Sequence, residues 1–292
     1  MKQLFFPLAF ISVILLSTSC NKMTPNPGSS DSTHIVLDTT GTDTVNLNAG
    51  LLLYLPFNGS IADSSGNGNT VTSLGSVALA VDEHGYTNSA LEGAANGVLL
   101  VNNNGSIRFD TAFTISFHFM CKNPGLEQVF ISMINYTTGH GPCFQVGLGT
   151  SADSVAYYDY LTAGFMDTTV ACDGWGTGHG HGAVTSWKPV QYAWYQYTGI
   201  FSKGKTSVYI NGQLIYTDIN TTYTRANFCP SDNVVIGGWW STDPQSFDGK
   251  LDDVRLYNRV LNAKEIAKLA SAFQQNTKAG AAQQSGHSGS LQ

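Results

Sequence analysis

The stretch FTISFHFMC, residues 113–121, alternates Phe113, Ile115, Phe117, Phe119 and Cys121 with Thr114, Ser116, His118 and Met120. A period of two puts the first set on one face of a strand and the second on the other, which predicts a half-buried β-strand. Outward from it, Gly50 to Phe57 and Gly97 to Val101 are more continuously apolar, as in the core strands of a sandwich. Val208 and Ile210 precede Asn211-Gly212, and Leu214 to Tyr216 follow. Asn-Gly between two apolar runs predicts a hairpin with a two-residue type I′ turn. Asn233 to Gly237 and Lys250 to Tyr257 read as further strands. Near the end, Asn262 and Glu265 have the spacing of a capping box, and Ile266, Leu269, Ala270 and Phe273 recur at helical spacing. The expectation is an all-β sandwich of two antiparallel sheets, with one short C-terminal helix on its edge.

Composition agrees. Of 292 residues, 42% are apolar and 12% charged, the latter well below the roughly 25% usual in soluble domains. The net charge is −6 and basic residues do not cluster. This argues against nucleic acid, because binding phosphates needs a positive surface.

Residues 1–19 read as a signal peptide. Lys2 is followed by an apolar run from Leu4 to Leu16, too short to span a bilayer. Ser17, Thr18 and Ser19 lead directly to Cys20, and the segment resembles a bacterial lipoprotein signal with Cys20 as the lipidated residue. It departs from that pattern in one respect: Leu16 stands four residues before the cysteine, where three is usual. By the same resemblance, Asn21 favours the outer membrane of a diderm bacterium, with membrane contact through the lipid anchor alone. Residues 20–48 are polar and read as a flexible tether, 49–273 as one domain, and 274–292 as a disordered tail. Beyond Cys20 the chain has Cys121, Cys143, Cys172 and Cys229, an even set that permits disulfides in an oxidising compartment without choosing among three pairings.

LYLPFNGSIADSSGNGN (53–69) and GKLDDVRLYNRVL (249–261), with the strand at 113–119 and VYINGQLIY (208–216) between them, resemble the laminin-G-like, concanavalin A-type jelly roll of bacterial surface proteins. That resemblance implies two packed sheets with a ligand rim formed by loops. It does not by itself select a function, because the fold carries lectins, adhesion modules and glycosidases.

In residues 250–257, alternation groups Asp252 with Val254 and Leu256 on the core side, where a carboxylate needs a partner or a cation. The loop from Asp63 to Asn69 is rich in oxygen ligands. Calcium takes 6–8 oxygens, and the family resemblance implies that these two motifs meet around a structural calcium. The expected ligands are Asp63, Asn67, Asn69 and Asp252. The same side chains also suit an Asx turn at Asp63 and backbone N–H bonds at Asp252.

For a glycan ligand the candidates are Trp239 and Trp240, which follow Ile236-Gly237-Gly238 directly, and Trp175 and Trp187 in a long segment, 161–189, read as strand-poor. Sugar C–H faces lie on aromatic rings, and two rings burying about 100 Å² contribute about 2.5 kcal/mol. His179 and His181 lie in the same segment, in a glycine-rich run that reads as a flexible loop. The chain has four glutamates, and none has an acidic partner two or four residues away along a strand. Retaining glycosidases need two carboxyl groups about 5–5.5 Å apart. The reading is therefore a non-catalytic carbohydrate-binding lipoprotein. The alternatives are a module that binds a surface protein and a divergent glycoside hydrolase.

Overall fold

The computed structural model describes residues 44–93, 97–141, 143–149, 161–166, 172, 180–219, 222, 224–242 and 245–273. Cys20, Trp175, His179 and the signal and tail segments lie outside them. In chain order the strands are β1 (Leu51–Leu55), β2 (Thr70–Leu74), β3 (Ala78–Ala80), β4 (Ala90–Glu92), β5 (Val98–Asn102), β6 (Ala112–Cys121), β7 (Gln128–Ile134), β8 (Phe144–Leu148), β9 (Leu161–Met166), β10 (Gly180–Val184), β11 (Trp194–Ser202), β12 (Lys205–Ile210), β13 (Gln213–Ile219), β14 (Asn233–Ile236) and β15 (Gly249–Tyr257). Helix α1 covers residues 263–273.

Two antiparallel sheets form the sandwich. The first runs β13-β12-β11-β6-β15-β4-β3, with β1 also pairing β15, and the second runs β10-β9-β8-β7-β14-β5-β2. Between them lies one core in which Phe117 and Phe119 of β6 meet Phe130, Val234 and Ile236 of the opposite sheet. The β12–β13 turn has Asn211 at φ 52° and Gly212 at φ 77°, the two positive values that a type I′ turn requires.

The central strand β6 is buried on both faces, not one. The reason lies far away in sequence. α1 packs over the outer face of the first sheet, where Ile266 and Leu269 join Ile200, Tyr257 and Leu261, and Phe273 packs with its ring 5.1 Å from that of His118, tilted by 59°. The helix therefore covers a face of the sandwich instead of lining its edge. On that face the Thr114 hydroxyl donates to the Arg259 carbonyl at 2.7 Å, and Gln196 donates to the Ser116 hydroxyl at 3.0 Å. Buried polar atoms on β6 are thus paired, as burial requires.

The helix start is a reciprocal capping box. Asn262 Oδ1 accepts from the Glu265 N–H, and Glu265 Oε2 accepts from the Asn262 N–H, both at 3.0 Å. Glu265 also holds Arg259 through two bonds of 2.7 and 2.8 Å, and accepts the Asn46 N–H at 3.2 Å. Leu47 packs against the helix cluster, so residues 46–48 belong to the folded domain rather than to a free tether.

The segment 161–189 is not strand-poor: β9 and β10 pair, with Phe165 opposite His181 and Ala163 opposite Ala183. His181 is thus a strand residue. A disulfide joins Cys172 to Cys229, while Cys121 and Cys143 are buried thiols.

Candidate functional site

Strand β14 ends at Ile236, and Gly237 takes φ 84°, a left-handed conformation that glycine adopts without Cβ strain. The Gly237 N–H donates to the Phe130 carbonyl at 2.7 Å, and the Ser132 hydroxyl donates to the Gly238 carbonyl at 3.1 Å. These bonds turn the chain over the outer face of the second sheet. There Trp239 and Trp240 lie half-buried beside Tyr136, Leu74 and Leu100, on a floor of Val98, Ile134 and Val235. Ser241 ties the loop to the turn after β7, its N–H donating to the Tyr136 carbonyl at 3.0 Å. Polar amides flank this aromatic floor: Asn233 donates to Asn102 at 3.3 Å. Fixed rings with an exposed part, edged by amides, can take the apolar face of a sugar and bond its hydroxyls.

Trp187 sits elsewhere. Its ring packs at the end of the main core, 4.8 Å from Tyr195 and 6.3 Å from Phe119, both edge-on. Trp187 therefore does not share a site with Trp239 and Trp240. A separate open depression of about 790 Å³ lies by Arg108, Asp110, Arg225 and Phe228. In it Arg225 pairs with Asp110 at 2.8 Å and Arg108 lies over the Phe228 ring at 5.6 Å.

The expected cation ligands fall into two groups. Asp63 accepts five hydrogen bonds: from the Tyr54, Ser65 and Asn69 N–H groups, the Ser65 hydroxyl and the Asn69 amide. Burial pushes its carboxyl up, and these donors outweigh that and hold it below the usual carboxylate range. Asn67 and Asn69 both donate to the Leu52 carbonyl, at 3.0 and 2.8 Å, and Asn67 also donates to that of Leu51. Asp63, Asn67 and Asn69 are thus one cluster around two carbonyls.

Asp252 belongs to the second group, and it faces away from the sandwich core. In the pairing of β15 with β6, Asp252 stands opposite His118, the register slips, and Arg255 stands opposite Ser116. Asp253, at φ 52°, is the bulged residue. The extra residue flips the alternation, so Leu251, Val254 and Leu256 all reach the core while Asp252 shares the outer face with His118. Glu83, from the turn between β3 and β4, completes the group: His118 Nδ1 lies 2.5 Å from Glu83 Oε1. Burial, and then the Glu83 carboxylate, push the Asp252 carboxyl far above the ordinary carboxylate range. Sequence reasoning missed Glu83 and His118 as partners. The available signal was an imidazole on the polar face of an otherwise apolar strand.

A family model described as the concanavalin A-like lectin/glucanases superfamily matches residues 92–267, more than half of the chain. The chain belongs to this superfamily. No curated protein matches it. Among solved structures, this superfamily member is similar to domain 4 of AbnA, a GH43 extracellular arabinanase from Geobacillus stearothermophilus. The identity is 19% and the TM-score 0.57, covering 76% of this chain and 98% of that one. It is also similar to the binding domain of Paraclostridial Mosquitocidal Protein 1, at 18% identity and TM-score 0.59, over 78% and 53% of the two chains. A third likeness is to the binding domain of botulinum neurotoxin DC in complex with rat synaptotagmin II, at 16% identity and TM-score 0.53, over 78% and 53%. The chain thus spans about half of the two toxin chains. At these identities the likeness concerns the fold.

Proposed function

We propose that this superfamily member is a non-catalytic carbohydrate-binding module, exported and lipid-anchored through Cys20. The observation that carries the binding reading is the half-buried Trp239–Trp240–Tyr136 floor on the outer face of the second sheet. The similarity to an arabinanase domain solved with arabinotriose supports the ligand class. The test is an oligosaccharide and polysaccharide array with the full chain, followed by Trp239→Ala and Trp240→Ala. Removing one ring forfeits about 50 Å² of contact, about 1.3 kcal/mol, so each variant is expected to bind about tenfold more weakly. A folded protein that binds no glycan contradicts this reading.

Binding a protein partner is the alternative. It draws support from the toxin domain solved with synaptotagmin II and from the exposed Leu126, Val190 and Tyr192. These lie on adjoining loops, with Gln191 donating to the Lys122 carbonyl at 2.7 Å.

The hydrolase reading finds less support. Glu83 and Asp252 do approach each other in space, which separation along the chain concealed, with ligand atoms within 4.8 Å. Both are buried, with the Glu83 side chain 1% exposed, so the pair offers no surface on which a glycosidic bond can lie.

Calcium is proposed only at the Asp63 cluster, where a carboxylate, two amides and the Leu51 and Leu52 carbonyls converge. Holding the ion requires Asn67 and Asn69 to turn their amide oxygens inward. A melting temperature unchanged between calcium and EDTA would sink this part of the proposal. Lipidation predicts incorporation of labelled palmitate that Cys20→Ser abolishes; incorporation that survives the substitution contradicts it.

A further inference from the structure

The group formed by Glu83, His118 and Asp252 is a chemical arrangement that ligand binding at the tryptophan floor does not use. It lies on the outer face of the first sheet, where Phe273 of α1 packs against His118. The three residues come from three separate parts of the chain, a turn and the two strands β6 and β15. Their ligand atoms all lie within 4.8 Å of one another. Asp252 and His118 are each 6% exposed.

A buried carboxylate normally finds every hydrogen bond it needs. Glu83 does not: Oε1 contacts His118 Nδ1 at 2.5 Å and His84 Nε2 at 3.3 Å, while the buried Oε2 has no partner. Asp252 spends one oxygen on the Asp253 N–H at 2.7 Å. The basic side chains of the same strand are committed elsewhere, Arg255 to Asp253 at 2.9 Å and Lys250 to the Val81 carbonyl at 2.9 Å. Glu83 and Asp252 press two carboxyl groups together out of water, and a divalent cation bound between them offsets the repulsion of their ionised forms.

The geometry points to a site for a divalent transition ion of the zinc type, held by Glu83, His118 and Asp252, with His84 at its margin. The three ligand atoms are close enough that small side-chain rotations bring them to bonds of about 2.0–2.2 Å. An imidazole among the ligands selects zinc-like ions over calcium, which takes six to eight oxygens. This site differs from the Asp63 cluster in its ligands, its location and its ion class. Once filled, it bolts the turn at residues 82–86 to the two central strands of the first sheet, beneath the end of α1.

The experiment uses the full chain without a polyhistidine tag, stripped with a chelator and then titrated with zinc chloride and, separately, calcium chloride. Bound metal is counted by mass spectrometry and stability is read as melting temperature. The expected result is one tightly held zinc per chain and a rise in melting temperature with zinc at the high-affinity equivalence point. Glu83→Gln and Asp252→Asn keep the shape of each side chain and are each expected to abolish that equivalent while the protein stays folded. Cobalt substitution offers a second readout: visible d–d bands in the wild type that both variants lose. A folded wild type that takes up no zinc overturns the proposal. So does zinc uptake undiminished in both variants, which places the ion on other histidines. Uptake of calcium with equal stoichiometry and affinity, lost in the same variants, overturns the ion class.

Discussion

Glu265→Ala is expected to lower stability by about 2–3 kcal/mol, more than an exposed ion pair is worth but less than a fully buried one, because the Arg259 side chain stays 27% exposed. Glu265 is 2% exposed and serves three purposes at once. It closes the capping box with Asn262, neutralises Arg259, and accepts the N–H of Asn46 at the start of the described domain. Its loss removes the Arg259 carboxylate partner, though the guanidinium keeps the Ala49, Val260 and Asn46 carbonyls, and leaves the first turn of α1 uncapped. Urea unfolding monitored by circular dichroism checks this. A loss below about 1 kcal/mol, the value of an exposed pair, contradicts it.

The same residue sets a pH dependence. Burial alone pushes its carboxyl up, but Arg259 and the Asn262 and Asn46 amides more than reverse this and hold it below the usual range. A carboxyl depressed on folding contributes stability that is fully present above its unfolded pKa. That stability is lost as pH falls through the folded one. The difference in melting temperature between wild type and Glu265→Gln is therefore expected to be largest at neutral pH and to shrink in acid.

Removing the Cys172–Cys229 bridge is expected to cost about 4 kcal/mol, from the chain entropy of a loop of this length. The bridge spans 57 residues. For a domain of this size that corresponds to a fall of roughly 10 °C in melting temperature. Cys172→Ser with Cys229→Ser and reduction of the wild type are expected to give the same shift. Burial, followed by the Asp248 carboxylate for Cys121 and the Asp232 carboxylate for Cys143, pushes both remaining domain thiols up. They therefore stay protonated and are expected to react with a thiol reagent only after unfolding. Rapid labelling of either thiol in the folded protein contradicts this.

How far the fold was legible depends on where its signals lie. The β6 alternation, the Asn211-Gly212 turn and the Asn262–Glu265 cap are local, and each appears in the structure, with the one difference that β6 is buried on both faces. What covers the polar side of β6 is not local. Phe273 lies on His118 across most of the domain, and nothing in FTISFHFMC announces the helix above it. The bulge at Asp253 was hidden because its positive φ falls on an aspartate and not on a glycine. It reversed the facing assigned to Asp252 and thereby divided the expected cation ligands between two places. β9 carried a readable signal, since Leu161, Ala163 and Phe165 alternate. Its small side chains and the neighbouring glycines obscured it.

For the site, Trp239 and Trp240 were visible as a pair after two glycines. That the pair folds back onto Val98, Ile134 and Val235, with Tyr136 beside it, follows only from the pairing of β14 with β5 and β7.

The central claim is that a glycan lies on this floor. The most direct measurement is a titration of the 15N-labelled protein with oligosaccharides, arabinotriose first, following the indole N–H signals of its five tryptophans. The account predicts that the Trp239 and Trp240 signals move together and saturably, while that of Trp187 at the end of the core stays in place. Saturable shifts confined to the Arg108–Arg225 depression, with both indoles unmoved, would contradict it.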